Sequence, residues 1–537
     1  MKIHAQKSTD VIVVGSGLAG ITAACRAAEK GAGVILLSTG PLFSGSSFFP
    51  GTWGLGLISA ADCDDEQDLC DTINAIGCNM TDKELVKEFV SSIPGAISWL
   101  EGCGVKLKTA HNSKQDDFIP CFDHKHRTWN GLLSENVRKI FSDKIKELGI
   151  EIITDCTLTD ILSENGRVKG AVIYRKDIKK ISLFSCSALI LAAGGFTTLF
   201  KDHVTTNDVS SCAHIPALKT GCELVNMEFM QIMPAYRSPC RGTIFNEKVF
   251  RYVDMTDHSG KDLIKEARIS EEVLAVRSTH GPFTSSKISC AVDLMIAHCD
   301  DDNGVTTTYS DELKNSMSEF AQTYFEWLKE KKHLTVDDTI NIGLFAHASN
   351  GGIKIDSNAS CGPEGLYACG EITGGMHGAD RIGGLSTANG LVFGLKAGEN
   401  AARYSLTHNA DTQVSYTLSN FCICDTSRYE KILAGIMSEN CMVIRSGKRL
   451  ENAVSRLEEI IEKAPRHHTY DHSELSQSMI LQSRLELSLV ILKAALLREE
   501  SRGSHYREDF PVRNESLSRR IIISQTDNKY AAQFENK

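Results

Sequence analysis

The sequence predicts an α/β fold of several domains, and three observations lead to this prediction. The first forty residues are typical of a strand, a glycine-rich turn, a helix and a second strand. Residues 350–398 are dense in glycine, as expected where backbone packs closely against a ligand. Beyond residue 425 the apolar residues follow a helical period. A chain of 537 residues is too long for one hydrophobic core, so two to four domains are expected.

The composition excludes several classes of protein. A formal net charge of −10 makes a nucleic-acid partner unfavourable, because phosphate binding requires a basic surface. The first ten residues contain no apolar core of a signal peptide, and the apolar runs are far shorter than a membrane span. We therefore expect a cytoplasmic protein without a transmembrane segment.

The 18 cysteines are scattered along the chain. There is no CxxC, and the one CxC consists of Cys422 and Cys424. In a cytoplasmic protein this pattern indicates reduced and mostly buried thiols. Iron–sulfur ligation requires clustered thiolates, so an iron–sulfur centre is expected only on a partner. We assign no residues to a metal site.

The glycine-rich turn predicts a Rossmann-type dinucleotide site. It follows the apolar strand Val11 to Val14, precedes a helix that runs to about Lys30, and consists of Gly15, Ser16, Gly17, Leu18, Ala19 and Gly20. The glycines permit a tight turn, and the helix N-terminus holds a pyrophosphate. Ser38 stands where an acidic residue usually follows the second strand, at Val34 to Leu37. The ribose is therefore expected to contact a hydroxyl or backbone.

Two later segments favour FAD over NAD as the dinucleotide. An apolar strand from Leu366 ends at Gly370 and Glu371, which places a carboxylate where ribityl hydroxyls can donate to it. Another buried strand, Ala188 to Ala193, ends at Gly194 and Gly195. These segments predict that a distant part of the chain supplies the second half of the flavin site, which includes Ala193, Gly194 and Glu371.

At these residues the sequence resembles the flavoprotein family of succinate dehydrogenases, fumarate reductases and L-aspartate oxidases. Four blocks carry the resemblance: the glycine turn with Ser44 to Ser47 and Gly51, the segment Asn226 to Pro234, the pair His347 to Gly352 and His377 to Gly384, and the segment Glu500 to Asp509.

The resemblance implies three units: a Rossmann-like FAD-binding domain, an inserted α+β capping domain and a C-terminal helical domain. We assign residues 1–204 and 341–424 to the FAD-binding domain, 205–340 to the capping domain and 425–537 to the helical domain. The Arg502 to Asp509 cluster is interpreted as an interdomain ion-pair network, with docking of an electron-transfer subunit as the alternative.

The resemblance also implies roles for single residues. His347 and Arg381 bind a substrate carboxylate, for which a planar guanidinium is suited. Glu371 contacts the ribityl chain, and Ser386 lies near the pyrimidine end of the flavin, in a loop before a helix. The small-residue loop over the flavin includes Ser46, Ser47 and Gly51.

Three departures from the family pattern affect these expectations. Ser46 stands near the position of the family's covalent-flavin histidine, so FAD is expected to bind non-covalently. Met233 replaces a histidine of the Asn226 to Pro234 block. In the stretch that matches the family's proton-relay arginine, Glu266 stands at the expected place and Arg268 follows two residues later. Arg268 is therefore the candidate proton donor. If Arg268 does not have this role, Arg251 or a different acid is the next candidate.

The predicted function is an FAD-dependent oxidoreductase of the fumarate reductase or succinate dehydrogenase type, which moves hydride between flavin and a carbon next to a carboxylate. Its expected partners are a small carboxylic acid substrate and an iron–sulfur or other electron-transfer subunit. L-aspartate oxidase is one alternative. The other is a flavin electron-transfer subunit without substrate chemistry, which retained His347 and Arg381 argue against.

Overall fold

The computed structural model describes residues 1–299, 302–527 and 529–536. Its strands are β1 Lys2–Val14, β2 Val34–Leu37, β3 Leu55–Ser59, β4 Leu107–Lys108, β5 Thr128–Leu132, β6 Glu151–Ile153, β7 Cys156–Glu164, β8 Arg167–Arg175, β9 Lys180–Leu191, β10 Leu224–Val225, β11 Met230–Ser238, β12 Val253–Thr256, β13 Val305–Tyr309, β14 Ile340–Ser349, β15 Gly352–Lys354, β16 Leu366–Ala368, β17 Thr373–Gly374, β18 Ser415–Thr417, β19 Phe421–Ile423, β20 Arg466–His468, β21 Ile521–Thr526 and β22 Lys529–Phe534.

The α-helices of the described residues are α1 Leu18–Glu29, α2 Cys63–Ile76, α3 Lys83–Gly102, α4 Ser134–Glu147, α5 His214–Lys219, α6 Leu263–Glu266, α7 Glu271–Arg277, α8 Cys290–Cys299, α9 Asp311–Asn315, α10 Glu319–Lys332, α11 Leu385–Ser405, α12 Thr426–Asn440, α13 Gly447–Lys463 and α14 His472–Leu497.

A central sheet with the order β6-β2-β1-β9-β8-β7 positions the glycine turn. The last four residues of β1, Val11 to Val14, pair in parallel with β2 on one side and with the end of β9 on the other. These residues are fully apolar and buried, as a parallel strand covered on both faces requires. The predicted strand–turn–helix–strand unit is confirmed, and β1 extends further toward the N-terminus than Val11.

Strand β9 brings the distant half of the chain to the same edge of the sheet. Its first half pairs with β8 in an antiparallel hairpin arrangement, and its last three residues pair in parallel with β16. The carboxyl ends of β1, β9 and β16 therefore lie side by side. Parallel strands place their following turns at one edge, so Gly15, Ala192 and Gly370 meet there.

A separate antiparallel sheet, in the order β11-β14-β13-β12, forms with α6 to α10 the unit proposed as the capping domain. Strand β11 pairs with β14 from Met230↔Ser349 to Ser238↔Asn341. The sheet thus contains residues beyond 340, the limit proposed from the sequence. This pairing places Gln231 of β11 close to the segment that carries His347.

The C-terminal part contains the expected helices α12, α13 and α14, followed by a β-hairpin that the sequence analysis did not anticipate. Strands β21 and β22 extend a sheet whose other strands are β10, β15 and β17. The three consecutive residues Ile521, Ile522 and Ile523 are buried there. Their burial against β10 fixes the end of the chain beside the FAD-binding segments. None of the described helices is long and apolar enough to cross a membrane.

A buried network of arginines and acids joins this C-terminal part to the rest of the chain. Arg498 donates from Nε to Glu228 Oε1 at 2.7 Å and from Nη1 to Glu500 Oε1 at 2.9 Å. Arg502 donates to the same Glu500 at 2.8 Å, and all four side chains are inaccessible to solvent. The network lies within the chain, which matches the ion-pair interpretation of this segment.

Candidate functional site

A cavity of about 310 Å³ lies where the central sheet, the cap sheet and the loop before α11 meet. Most of the predicted site residues line it. These are Gly15, Ser16, Gly17, Leu18, Ala19, Ser38, Ser46, Ser47, Ala193, Gly194, His347, Glu371, Arg381 and Ser386. The cavity thus runs from the glycine turn to the pair predicted to bind a carboxylate.

The glycine turn leaves the N-terminus of α1 free to bind an anion. Gly15 has a φ of 111°, and a Cβ there would lie 2.1 Å from the carbonyl oxygen of Ala192. A Cβ on Gly20 would lie 1.8 Å from the oxygen of Gly15, so Gly20 acts beneath the cavity rather than in its wall. Gly17 is the N-cap residue, and no side chain caps the helix. Leu18 N–H donates to Ser47 Oγ at 3.3 Å, and the N–H groups of Ala19 and Gly20 remain available to a phosphate.

Two serine hydroxyls lie next to the end of the second strand, where a dinucleotide site usually has an acidic residue. Ser16 Oγ and Ser38 Oγ are 2.6 Å apart, and both residues are buried. Both line the cavity, next to the end of β2. A ribose in this place would exchange hydrogen bonds with these two hydroxyls, and the Asp208 carboxylate lies nearby against Gly40.

Glu371 is held in a fixed position at the middle of the cavity. Ser349 N–H donates to Oε1 at 3.1 Å, and Ser46 Oγ donates to Oε2 at 3.3 Å. Burial raises the pKa of Glu371, against the opposing effect of these donors. A Cβ on Gly195 would lie 2.4 Å from Oε1, so only glycine leaves room for this carboxyl. Glu371 can therefore accept hydrogen bonds from a polyol chain along the cavity.

Arg381 is anchored by an uncharged partner. Its Nε and Nη2 donate to Gln231 Oε1 at 3.1 and 2.8 Å, and Gln231 Nε2 donates back to the Arg381 carbonyl at 3.4 Å. Among the described residues Arg381 forms no ion pair within 4.0 Å, and the acid that acts on it electrostatically is Glu371, so its charge is available to an anion. Burial lowers its pKa, which shows that the guanidinium sits in a weakly solvated place.

His347 lies beside Arg381 as a neutral imidazole. Burial, with a further effect from Arg381, lowers the pKa of His347 to about 3. Its Nδ1 is buried without a hydrogen-bond partner among the described residues. An unpartnered polar atom that lines a cavity is costly unless a ligand satisfies it. His347 and Arg381 are the basic side chains in the described lining.

A thiol–carboxyl pair that the sequence analysis missed completes this end of the cavity. Cys121 Sγ donates to Glu247 Oε1 at 2.8 Å, and both residues line the cavity. The Cys121 carbonyl accepts from Gly383 N–H at 3.1 Å, which ties the thiol to the Arg381 loop. Burial raises the pKa of the thiol to about 12, and Glu247 adds to this effect. No local pattern marks these residues, which are 126 positions apart.

Besides Gly20, three predicted residues lie outside the cavity wall. Arg268 is exposed, at the end of α6, so the structure does not bring this candidate proton donor to the site. The short helix α6 turns it outward, with a left-handed φ of 54°. Arg251 is also exposed, and its guanidinium lies over the Tyr252 ring. Gly51 lies against the Gly242 carbonyl of the cap rather than in the cavity wall.

Ser386 lines the cavity as predicted, but its local structure differs from the expectation. It lies in the first turn of α11 rather than in a loop, because the helix begins one residue earlier, at Leu385.

A second cavity of about 190 Å³ adjoins the thiol–carboxyl pair. It shares Cys121, Glu247 and the Gly383–Gly384 backbone with the first cavity. Trp53 also lines both cavities, and the other walls of the second cavity are mainly apolar and include Phe118, Trp129 and Phe320. The Nζ of Lys248, which also lines it, donates to the Ile119 carbonyl at 3.1 Å. We call this space the aromatic annex.

Comparison with known proteins agrees with this arrangement. The model of a family described as "FAD binding domain" matches residues 10–387, and one described as "Fumarate reductase flavoprotein C-term" matches residues 430–536. The match to the first family covers the glycine turn, Glu371 and Arg381. FAD thus fits the residues present: the free helix N-terminus, the serine pair and the fixed carboxyl follow one another along the cavity.

Relatives align over nearly the whole chain. A fumarate reductase (CoM/CoB) subunit from Methanothermobacter marburgensis is 26% identical over 96% of this chain and 97% of its own. L-aspartate oxidase of Yersinia pestis is 26% identical over 97% of this chain and 100% of its own.

Solved structures share the fold. A quinol-fumarate reductase with menaquinol molecules has a TM-score of 0.78 at 19% identity, covering 99% of this chain and 98% of its own. Sdh1 of Mycobacterium smegmatis in complex with UQ1 has a TM-score of 0.75 at 21% identity, covering 98% and 94%.

Proposed function

The chain belongs to the FAD binding domain family, and from this premise we propose how its site works. The protein is an FAD-dependent oxidoreductase of the fumarate reductase and succinate dehydrogenase flavoprotein type. We propose that it transfers hydride between FAD and a carbon next to a substrate carboxylate. The observation that carries this proposal is Arg381, held by the neutral Gln231 with its charge unpaired, at the end of the FAD cavity.

The residues that would hold FAD follow from the cavity. Gly17 and the first turn of α1 would hold the pyrophosphate, Ser38 the adenosine ribose and Glu371 the ribityl chain. Bound FAD supplies the two-electron chemistry. Because Ser46 rather than a histidine occupies the small-residue loop, we propose that FAD is bound non-covalently.

Arg381 and His347 would bind and orient the substrate. The guanidinium offers its remaining N–H groups to a carboxylate, and the low dielectric around it strengthens the contact. His347, being neutral, adds a hydrogen bond rather than a second charge. Together they would fix the carbon next to the carboxylate opposite the reactive part of the flavin.

Cys121 and Glu247 would move the proton that the reaction requires. Addition of hydride beside a carboxylate leaves a carbon that must take up a proton. The Cys121 thiol keeps its proton at neutral pH and would give it to that carbon; Glu247 would then take up a proton from solvent and pass it to the sulfur along their hydrogen bond. This pair takes the role that the sequence analysis gave to Arg268.

The aromatic annex favours a substrate with one carboxylate and an apolar end. Met233 lines the cavity where the family pattern has a histidine, which leaves Arg381 as the permanently charged base of the described lining. Beyond Cys121 the annex presents Trp53 and Phe118, and of the two lysines in its lining Lys248 already donates to the Ile119 carbonyl. A bulky apolar group would fill this space and release water from it.

L-aspartate oxidase is the second candidate. The Yersinia pestis relative with this name aligns over its entire length, and the Arg381–His347 pair would bind the carboxylate of an amino acid equally well. For either activity we propose that electrons reach or leave FAD through a separate carrier, an iron–sulfur protein or another electron-transfer subunit. The motivation is that the 18 cysteines of this chain show no ligand spacing for an iron–sulfur centre.

The binding test uses the flavin spectrum of the oxidised protein. Titration with carboxylic acids should perturb the wild-type spectrum, and Arg381→Lys should weaken binding by roughly 100-fold, since lysine lacks the planar fork that Gln231 and a carboxylate share. Arg403→Lys, at an exposed arginine of α11, is the matched control and should bind as wild type does. Equal affinity in wild type and Arg381→Lys would reject the anion site.

A further inference from the structure

A group of metal-ligating side chains lies outside the flavin site, where β19, β20 and the start of α14 meet. Cys422 of β19 pairs in register with His467 of β20. Glu474 is in the first turn of α14 and approaches the same imidazole. One ligand atom from each of these three residues lies within 4.8 Å of the others.

The separations between the ligand atoms suit a common centre. Cys422 Sγ is 3.4 Å from His467 Nε2, and Nε2 is 3.2 Å from Glu474 Oε2. In a tetrahedral zinc site, bond lengths of about 2.3 Å to sulfur and about 2.0 Å to nitrogen and oxygen put such atoms about 3.3–3.6 Å apart. The Cys422–His467 separation lies in this range and the His467–Glu474 separation is slightly shorter, so small side-chain adjustments would bring these atoms around one ion.

A candidate fourth ligand lies just past the end of β19. Cys424, two residues after Cys422, has its Sγ 3.3 Å from His467 Nδ1. Because Cys422 and Glu474 approach Nε2 of the same ring, ligation by Cys424 would require a rotation about its Cα–Cβ bond that moves the sulfur from the Nδ1 side to the Nε2 side. The set then contains two sulfurs, one nitrogen and one carboxylate oxygen.

We propose that Cys422, Cys424, His467 and Glu474 form a binding site for a borderline-soft divalent cation of the Zn²⁺ type. Thiolate and imidazole ligands select such ions over Mg²⁺ and Ca²⁺, which prefer oxygen. His467 and Glu474 are exposed, so an ion reaches the site from solvent. A bound ion would join the β19–β20 pair to the first turn of α14. This metal site is separate from the FAD site.

The experiment measures metal in the full-length, FAD-loaded protein. After incubation with Zn²⁺ and gel filtration, we expect one equivalent per chain by elemental analysis. Co²⁺ should give d–d bands at wavelengths longer than the flavin absorbs, together with thiolate charge-transfer bands. Zn²⁺ should also raise the thermal unfolding temperature, because it binds the folded chain preferentially.

The decisive variant is His467→Gln, since this exposed side chain can be replaced without a loss of folding. It should weaken Zn²⁺ binding by at least about tenfold. Loss of a residue that only supports a metal ligand already weakens binding by about this factor, and His467 is proposed as a ligand itself. Cys422→Ser should act in the same direction, and Cys424→Ser tests the fourth ligand. Cys63→Ser, at an exposed cysteine elsewhere, is the control. Absence of stoichiometric Zn²⁺, or equal binding by wild type and His467→Gln, would overturn the proposal.

Discussion

The sequence predicts the location of some residues of the site but not of others. Arg381, His347 and Glu371 follow glycine-rich or strand-end patterns, and the structure brings all three to one cavity. Arg268 was chosen from a short stretch that departs from the family pattern, and the outward turn of α6 leaves it exposed. Cys121 and Glu247 carry no local pattern, because their contact depends on how the cap packs against the loop before β5.

The Cys121 thiol gives the first prediction at this scale. Cys121→Ala removes the proposed proton donor and should lower turnover by about 10²-fold or more, the contribution of a positioned acid. Cys121→Ser retains a proton on an atom near Glu247 and should recover part of the activity. Steady-state turnover and the solvent isotope effect are measured at equal FAD content. Cys240→Ala, at an exposed cysteine, is the control, and unchanged turnover in Cys121→Ala would assign the proton to another group.

His214 gives a prediction about pH at the same scale. Burial alone lowers its pKa from 6.5 to about 4, and neither ring nitrogen has a partner among the described residues. The unfolded chain gains a proton below pH 6.5 while folded His214 stays neutral, so this residue destabilises the fold as pH falls toward 4.

The measurement compares free energies of unfolding from denaturant titrations at pH 7.5, 6.5 and 5.5. Relative to wild type, His214→Leu should gain about 1.4 kcal/mol for each pH unit below 6.5, down to about pH 4. Phe196→Leu alters the same packing, since the Phe196 ring lies 5.9 Å from that of His214, but removes no titrating group. A pH-independent difference for His214→Leu would show that the imidazole is already charged in the folded protein.

At the scale of elements, the strands around the glycine turn were predictable because burial on both faces makes them apolar throughout. Val34–Leu37 was predicted with its exact limits, and the strand that precedes Glu371 was also found. The hairpin β21–β22 was not predicted, since its partner β10 lies about 300 residues earlier in the chain. The CxC pair and His467 are likewise brought together only by the pairing of β19 with β20.

The element-level prediction concerns the network that joins the C-terminal part to β11. Glu228, just before β11, accepts from Arg498, and both side chains are fully buried. Glu228→Gln removes an acidic partner and leaves excess buried positive charge, which should cost about 3–5 kcal/mol of unfolding free energy. Glu515→Gln, at the exposed partner of Arg513, should cost less than about 1 kcal/mol. Equal losses in the two variants, measured by denaturant unfolding, would contradict a stabilising role for the network.

At the scale of the whole molecule, the fold class and the FAD site could be predicted because four different local motifs, spread along the chain, indicate the same family. The identity of the substrate could not, because it depends on surfaces that three distant segments build together. Trp53, Cys121 and Glu247 meet in the aromatic annex only after the cap has packed on the FAD-binding part. We propose that Arg381 in the FAD cavity and the mainly apolar wall of the aromatic annex together determine which substrate binds.

The most direct test of this account is anaerobic reoxidation of the reduced FAD by α,β-unsaturated acids and by their amides. Fumarate, cinnamate and cinnamamide are mixed with reduced protein, and the flavin absorbance is followed with time in wild type and in Arg381→Lys. The account predicts rapid reoxidation by an acid with an apolar end, at least about 100-fold slower reaction with its amide, and loss of this preference in Arg381→Lys. Equal rates with the acid and the amide in wild type would contradict the proposal that Arg381 anchors a substrate carboxylate.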